Sequence, residues 1–282
     1  MGENILSITY VICFSGGHSS ALCAVETVRR YGAGNCILLN HDISSKVEDI
    51  SVKNFKNQVA DALGMEITYA NAFNFEERTP IMVALEKGCF AVNRGQELCT
   101  YELKTKPFYN WLKKNFPVKS GRIRDDICIV YGFEVQETQR IARRKEFLYK
   151  MGYHSAFPLA ENERTIYDIR ELGIELPSVY KTFFHANCIG CLKAGIRSWY
   201  VCYCLRKDIF DEAVEAERKI GHSILKKCFL SELIPRFEAM KTAGVEPTDR
   251  GSSHRFCKEA NSFVPGQIPL FFLFESNCNA CK

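Results

Sequence analysis

Short apolar runs alternate with amphipathic segments over the first 158 residues. Five runs have the length of buried strands, and they cover residues 10–14, 36–39, 67–70, 128–131 and 153–157. Between the first three runs, residues 19–31 and 48–63 carry apolar side chains three and four positions apart, which predicts two helices with one buried face. This alternation of strand and helix predicts an α/β fold with a parallel sheet covered on both faces.

The pattern changes after Pro158. Strand signals become rare, and helical periodicity dominates at Asp208–Gly221 and Phe229–Thr242. The polar stretch Thr242–Ser262 contains glycine and proline and is typical of a loop. We therefore predict an α/β domain over residues 1–158 and a smaller, mainly helical, cysteine-rich lobe over residues 159–282.

Length and composition narrow the class of protein. A chain of 282 residues suits one large or two modest domains. With 46% hydrophobic and 25% charged residues, disorder, collagen and coiled-coil rods are excluded as descriptions of the whole chain. There is no apolar run of about 18 residues, so we expect no membrane-spanning helix and no membrane partner. The N-terminus lacks the features of a signal peptide, and we expect a cytoplasmic protein.

The net charge of +4 is mild, but one stretch is more basic than the rest. From Lys113 to Lys150, the chain contains ten Lys or Arg residues and five Asp or Glu residues. This stretch predicts either a surface for an RNA or DNA acceptor or a solvated helix face with phosphate-binding arginines. Trp111, Phe116 and Tyr131 are candidates for base stacking, with a role in the core as the alternative.

The chain contains 14 cysteines, and without a secretion signal we expect metal or sulfur chemistry rather than disulfides. Two Cys-x-x-Cys pairs, Cys188/Cys191 and Cys278/Cys281, supply four thiolates, which suits tetrahedral zinc or a [4Fe–4S] cluster. In one alternative, Cys99 or the pair Cys202/Cys204 replaces the terminal pair as ligands. In another, Cys278 and Cys281 form a redox-active tail.

The segment Ser15-Gly16-Gly17-His18-Ser19-Ser20 follows the first predicted strand and opens the first predicted helix. Glycines allow a phosphate to approach the backbone, and the N–H groups and dipole of a helix start attract it. No lysine follows the glycines, so this is not a Walker A loop, and the spacing is not that of the dinucleotide fingerprint. The segment predicts an anion cradle or, alternatively, a plain glycine turn.

The loop resembles the Ser-Gly-Gly-x-Asp-Ser motif of the PP-loop ATP pyrophosphatases, a group that includes phosphosulfate reductases and sulfurtransferases acting on tRNA and DNA. The similarity runs from about residue 10 to 195 in matching order, through Cys99-Thr100, Leu103-Lys104, Pro107, Gly132, Glu137, Arg140, Pro158-Leu159, Asp168-Ile169, Leu176-Pro177, Tyr180 and the Cys188/Cys191 pair. Two departures stand out. The loop aspartate of the family is absent, and we assign its place to His18. An expected arginine is replaced by Glu134.

The resemblance implies a five-stranded sheet of order 3-2-1-4-5, with a nucleotide bound where the strand order reverses. It implies that the residues in contact with ATP and Mg²⁺ are Ser15, Gly16, Gly17, His18, Ser19, Ser20, Asn40, Lys104, Gly132, Glu137 and Arg140. Catalytic roles fall to Ser15, His18, Asp42 and Arg140. For Asp42, a helix cap or a turn is the alternative.

The function that the resemblance implies is ATP-dependent adenylation. The enzyme would cleave ATP between the α and β phosphates, release pyrophosphate, and activate an acceptor for sulfur transfer from a sulfur donor protein. The acceptor would be RNA, DNA or a nucleotide. Two alternatives remain open: a phosphosulfate reductase that releases sulfite, and a catalytically weak nucleotide sensor or partner subunit of a modification or defence complex.

Overall fold

The computed structural model describes residues 8–90, 98–119, 122–226, 228–250 and 256. Its strands are β1 (Thr9–Cys13), β2 (Cys36–Asn40), β3 (Ile67–Tyr69), β4 (Arg124–Val130) and β5 (Tyr153–Ala156). Its helices are α1 (His18–Tyr31), α2 (Ile50–Ala62), α3 (Pro80–Lys87), α4 (Leu98–Thr100), α5 (Lys106–Asn115), α6 (Thr138–Lys150), α7 (Pro158–Glu161), α8 (Ile196–Leu205), α9 (Lys207–Ile220) and α10 (Leu230–Thr242). A π-helical turn, Tyr101–Thr105, joins α4 to α5.

The five strands form one parallel sheet in the order β3-β2-β1-β4-β5. Tyr10 in β1 lies opposite Cys36 on one side and Cys128 on the other. The predicted α/β fold and the strand order implied by the resemblance are both confirmed. Because the chain moves outward from β1 through β2 and β3 and then returns to β4, the order reverses between β1 and β4.

Apolar side chains cover both faces of the sheet. Ile12 belongs to a buried cluster with residues of α1 and α2, whereas its neighbour Val11 belongs to a second cluster with Phe108 and Leu148 of α5 and α6. This division arises because successive side chains of a strand point to opposite faces. The sheet therefore has helices on both sides, as the sequence pattern predicts.

The chain forms two compact units, and neither is a single continuous segment. The first comprises the described parts of Met1–Asp42, Ile50–Phe73 and Leu103–Pro177, and it contains the sheet. The predicted boundary after residue 158 falls inside this unit. The segment that follows β5 packs on α1, where the buried Glu26 carboxylate accepts a hydrogen bond from the Ile166 N–H (3.0 Å).

The second unit comprises the described parts of Ile43–Asp49, Asn74–Glu102 and Ser178–Lys282. Its core is aromatic: the buried rings of Trp199 and Tyr200 contact Phe210 and Phe237 of α9 and α10. The helices predicted at 208–221 and 229–242 are present as α9 and α10, with ends that differ by at most one residue. No helix in the described part of the chain is long and apolar enough to cross a membrane.

Candidate functional site

The loop after β1 makes a tight bend braced by two serine side chains. Gly16 has a φ of 79°, in the left-handed region, and Gly17 is the N-cap of α1. The Ser20 hydroxyl donates to the Gly17 carbonyl (2.8 Å) and accepts from the Ser15 N–H (3.3 Å). The Ser15 hydroxyl also lies 3.2 Å from the Ser20 hydroxyl. These contacts hold the bend at the start of the helix.

The backbone N–H groups of the bend are candidate donors for a ligand. Among the described residues, the N–H groups of Gly16, Gly17 and Ser19 have no hydrogen-bond acceptor. The first N–H groups of a helix lack intrahelical partners, and the helix dipole adds partial positive charge there. Such a bend can therefore bind an anionic oxygen.

The segment after β4 lies directly against this bend. A Cβ atom built on Gly132 would stand 2.6 Å from the carbonyl oxygen of Ser19 and 3.0 Å from Cβ of Cys23, so no larger residue fits without displacement. The close contact brings the two segments predicted to bind phosphate, Ser15–Ser20 and Gly132–Arg140, to the same place. It lies at the carboxyl ends of β1 and β4, where the strand order reverses.

Glu137 and Arg140 contact each other in this second segment. The Glu137 carboxylate accepts from the Glu134 N–H (2.9 Å) and pairs with the Arg140 guanidinium (2.6 Å). That guanidinium also lies over the Phe133 ring, 4.0 Å from its centroid, and is largely exposed. Glu134 pairs with Arg164. The role of Arg140 as a phosphate ligand stays a prediction.

Beneath the bend, at the end of β2, lies a polar cluster in which Asn40 and Lys56 are buried. The Asn40 side-chain N–H donates to the Phe14 carbonyl (2.5 Å), and its Oδ1 accepts from Nζ of Lys56 (3.3 Å). Lys56 also pairs with Asp42 (3.1 Å), as does Lys53 (3.2 Å). Burial alone would raise the pKa of Asp42, but the two ammonium groups bring it below its usual value. Asp42 is thus an ion-paired residue and not a helix cap.

Lys56 is a site residue that the sequence interpretation missed. Its side chain is 1% exposed, and a Cβ built on Gly16 would lie 2.7 Å from Cγ of Lys56. A signal for it was present in the sequence. Lys56 follows Val52 by four positions and precedes Val59 by three, so it lies on the buried stripe of α2.

His18 does not stand in the place of the family's aspartate. Counted along the motif from Ser15, the aspartate corresponds to Ser19, and His18 occupies the variable position, so that assignment was wrong. The Nε2 atom of His18 accepts a hydrogen bond from the Ile169 N–H (3.2 Å), and Asp168 lies 3.8 Å away. Burial lowers the pKa of His18 despite the nearby carboxylate. The neutral imidazole thus ties the start of α1 to the segment after β5.

Lys104 lies in the π-helical turn, close enough to His41 to affect its titration. Burial, reinforced by the charge of Lys104, lowers the pKa of His41 to about 4, against the opposing effect of a hydrogen bond to the Ala70 carbonyl (2.5 Å). His41 directly follows Asn40 in the chain. Lys104 is therefore a cation near the end of β2, and its contact with nucleotide stays a prediction.

The rings of the basic stretch pack against other rings. Trp111 contacts Phe116 (centroids 5.7 Å apart), and Tyr131 stacks with Phe157 (6.3 Å). The Arg144 guanidinium lies over the Tyr131 ring at 5.1 Å. This geometry favours the interpretation in which these aromatic residues belong to the core of the first unit.

Cys188 and Cys191 lie in one turn of the second unit. They line a small cavity of about 30 Å³ together with Asn187, Ser198 and Asp249. The turn between them depends on Gly190, whose φ is 72° and whose added Cβ would stand 2.5 Å from Cγ2 of Ile209. Two thiols are thus presented together, as a shared metal site requires. The other predicted ligands, Cys278 and Cys281, lie outside the described residues.

The alternative ligands do not complete this site. Within the residues that the structure describes, no three His, Cys, Asp or Glu side chains form a group that could hold a metal ion. Cys99, Cys202 and Cys204 therefore do not join Cys188 and Cys191 in such a group. Burial raises the pKa of the Cys202 thiol to about 12, which is unfavourable for a thiolate ligand.

Comparisons of the chain with family models, with curated proteins and with solved structures found no match. The function must therefore be argued from the chemistry of the residues. In the first unit, the end of β1 combines a helix start, a buried lysine and N–H donors that no described residue pairs. This arrangement is suited to a phosphate-bearing ligand.

Proposed function

We propose that the first unit binds ATP with its β and γ phosphates on the loop Ser15–Ser20 and catalyses adenylation of an acceptor. An oxygen of the acceptor attacks the α-phosphorus. The bond between that phosphorus and the bridging oxygen to the β-phosphate breaks, and pyrophosphate leaves with the electron pair. The observation that carries this proposal is that the N–H groups of Gly16, Gly17 and Ser19, at the point where the strand order reverses, have no acceptor within the part of the chain that the structure describes.

The chemistry needs stabilisation of the negative charge that accumulates on the leaving pyrophosphate. Fixed N–H donors at a helix start provide it without reorganisation. The buried ammonium group of Lys56 lies beneath the bend, 3.3 Å from Oδ1 of Asn40 at the end of β2. Arg140, on the opposite side of the switch point, would reach the phosphates after exchanging its partner Glu137.

Magnesium ligation by Asp42 does not fit this geometry. Its carboxylate pairs with two ammonium groups, which compete directly with a cation for the same oxygens. Ser19 stands where the family has its loop aspartate, which removes a second carboxylate. We therefore derive no step of the reaction through a protein-bound magnesium ion.

The sulfur chemistry concerns the second unit. We propose that Cys188, Cys191, Cys278 and Cys281 hold a [4Fe–4S] cluster, or zinc, and that the adenylated acceptor receives sulfur from a donor protein that carries a persulfide. The terminal sulfur bonds to the acceptor atom that carries the adenylated oxygen, the bond to that oxygen breaks, and AMP leaves with the electron pair. A second thiol of the donor protein then breaks the S–S bond and forms a disulfide in the donor. The paired thiols of Cys188 and Cys191 support this proposal. The acceptor class is RNA, DNA or a nucleotide, and the setting is the cytoplasm.

Pyrophosphate release from ATP, measured with and without added tRNA, DNA or adenosine-phosphosulfate, tests the proposal. The variant Gly17→Asp places a carboxylate where phosphate would bind and should abolish ATP binding. Gly34→Asp is the matched control, because it adds the same charge at an exposed glycine with open space around it. Acceptor-dependent release that is lost in Gly17→Asp and kept in Gly34→Asp supports the proposal. Unchanged ATP affinity in Gly17→Asp refutes it.

A catalytically weak nucleotide sensor is the second candidate, favoured by the ion pairs that engage Asp42. Tight ATP binding without pyrophosphate release for any acceptor would select it. Sulfite release from adenosine-phosphosulfate in the presence of a thiol would instead select the reductase.

Anaerobic purification followed by an absorption spectrum and metal analysis tests the cysteine site. We expect stoichiometric iron with acid-labile sulfide, or zinc, in the wild type. Cys188→Ser should lose the metal, whereas Cys204→Ser should keep it. Equal metal content in the two variants would contradict the assignment.

A further inference from the structure

Lys56 presents an unusual combination of burial and charge. Its side chain is 1% exposed, yet it ends in an ammonium group that lies 3.1 Å from Oδ1 of Asp42 and 3.3 Å from Oδ1 of Asn40. Burying a charge costs free energy unless the charge is paired, and a well-packed apolar residue would fill the same space in the core at a smaller cost in free energy. The ammonium group therefore calls for a role beyond packing.

The contact with Asn40 extends to the backbone of the loop. The side-chain amide of Asn40 has one acceptor atom and one donor group, and an ammonium group can only donate. Lys56 thus fixes the amide with Oδ1 toward itself and with the N–H toward the Phe14 carbonyl, 2.5 Å away. Phe14 directly precedes Ser15 and Gly16, so the orientation of one buried amide sets where the bend begins.

The alkyl chain of Lys56 shapes the bend itself. A Cβ built on Gly16 would stand 2.7 Å from Cγ and 2.9 Å from Cδ of Lys56. The backbone of Gly16 therefore rests on the methylene groups, while the ammonium group holds Asn40. Lys53 offers a comparison, since it also pairs with Asp42, whereas the atoms nearest to a Cβ built on Gly16 belong to Lys56 and Val52.

We propose that Lys56 is a positioning residue for the phosphate-binding loop: its buried ammonium group orients Asn40, and Asn40 fixes the Phe14–Gly17 bend so that its N–H groups converge on phosphate. The loop's role in ATP binding is the proposed function on which this inference rests. The geometry of the bend in the free protein is a separate observable, and it can be tested without nucleotide.

The first test monitors the conformation of the bend by NMR in the full-length protein without ligand. Serine labelled at its carbonyl carbon and glycine labelled at nitrogen give an NMR signal only from Ser–Gly pairs, and the chain has two, Ser15–Gly16 and Ser120–Gly121. The variant Lys56→Met keeps the alkyl chain and removes the charge. It should shift the Gly16 signal and leave the Gly121 signal in place, whereas Lys53→Met should shift neither. An unmoved Gly16 signal in folded Lys56→Met overturns the proposal.

The second test measures the dissociation constant of a non-hydrolysable ATP analogue in a double-mutant cycle. Lys56→Met and Asn40→Ala should each weaken binding by about tenfold. The double variant should bind no more weakly than either single variant, because both changes break the same series of contacts from Lys56 through Asn40 to Phe14. Lys53→Met should stay within about threefold of wild type. If the losses of binding free energy for Lys56→Met and Asn40→Ala are additive, the proposal that Lys56 acts through Asn40 is overturned.

The two tests distinguish failure of the positioning role of Lys56 from failure of the proposed function. If the wild type binds no ATP analogue while the Gly16 signal still responds to Lys56→Met, the proposed function fails and the effect of Lys56 on the bend stands. If the analogue binds and Lys56→Met changes neither the signal nor the affinity, the positioning role fails alone.

Discussion

Replacing Gly16 by alanine tests how tightly the bend after β1 is enclosed. The φ of 79° disfavours any residue with a Cβ, at a cost of about 1–2 kcal/mol. The new methyl group would also stand 2.7 Å from Cγ of Lys56 and 3.1 Å from Cγ1 of Val52. Lys56 has little room to withdraw because its side chain is buried and its ammonium group is held by Asn40 and Asp42.

The clash adds about 1–3 kcal/mol to this destabilisation, which is the usual cost of overpacking a close-packed interior. We therefore expect Gly16→Ala to lower the free energy of unfolding by about 2–5 kcal/mol. Gly173→Ala is the matched control, since Gly173 lies in the same unit with a φ of 73° and has no atom within 4 Å of an added Cβ. That control should lose about 1–2 kcal/mol.

Urea denaturation of both variants, followed by circular dichroism, measures the difference between strain alone and strain with a clash. Binding of an ATP analogue to the folded fraction gives the functional effect, which should be confined to Gly16→Ala. Equal destabilisation of the two variants would show that Lys56 and Val52 do not enclose the bend, and the reasoning about this loop would be refuted.

Three further predictions concern other parts of the chain. Gly132→Ala places a methyl group 2.6 Å from a backbone carbonyl of α1 and should weaken binding of the ATP analogue by about tenfold in calorimetry, whereas Gly195→Ala, with open space around it, should not. Because burial lowers the folded-state pKa of His41 to about 4, the unfolded chain binds more protons below pH 6.5. Stability should therefore be full above about pH 6.5 and fall by about 2 kcal/mol by pH 5, and His41→Asn should flatten this part of the urea-denaturation profile. Glu217→Gln replaces a buried carboxylate that accepts from two backbone N–H groups (2.7 and 2.6 Å), and it should cost about 1–3 kcal/mol in the same assay, while an unchanged midpoint would contradict that role.

The local pattern of apolar and polar residues was sufficient to predict the strands and helices that bury one face or both faces. The run at Tyr10–Phe14 predicts β1 to within one residue at each end, and the periodicity of residues 48–63 predicts α2. The helix α8 was not predicted, because Ile196–Leu205 is apolar on nearly all sides and shows no contrast between faces. The helix α3 was missed although Thr79 offered a local signal, an N-cap whose hydroxyl accepts from the Met82 N–H (3.2 Å).

The sequence could identify the parts of the candidate site that depend on backbone shape. Ser15–Ser20 and Gly132 stand out because glycine tolerates a positive φ and close approach, and these properties belong to the residue itself. The same reasoning could not find that Asp42 pairs with Lys53 and Lys56. A carboxylate at a strand end looks the same in sequence whether it binds a metal, caps a helix or pairs with an ammonium group.

By itself, the sequence determined the α/β class, most of the strands and the position of the glycine bend, because periodicity and backbone freedom are encoded over a few neighbouring residues. Only the tertiary structure decided that the chain divides into two discontinuous units and that Lys56 lies beneath Gly16 with its charge on Asn40. Those contacts join residues separated by many positions. Their energies depend on burial and on distances of about 3 Å, which no local pattern specifies.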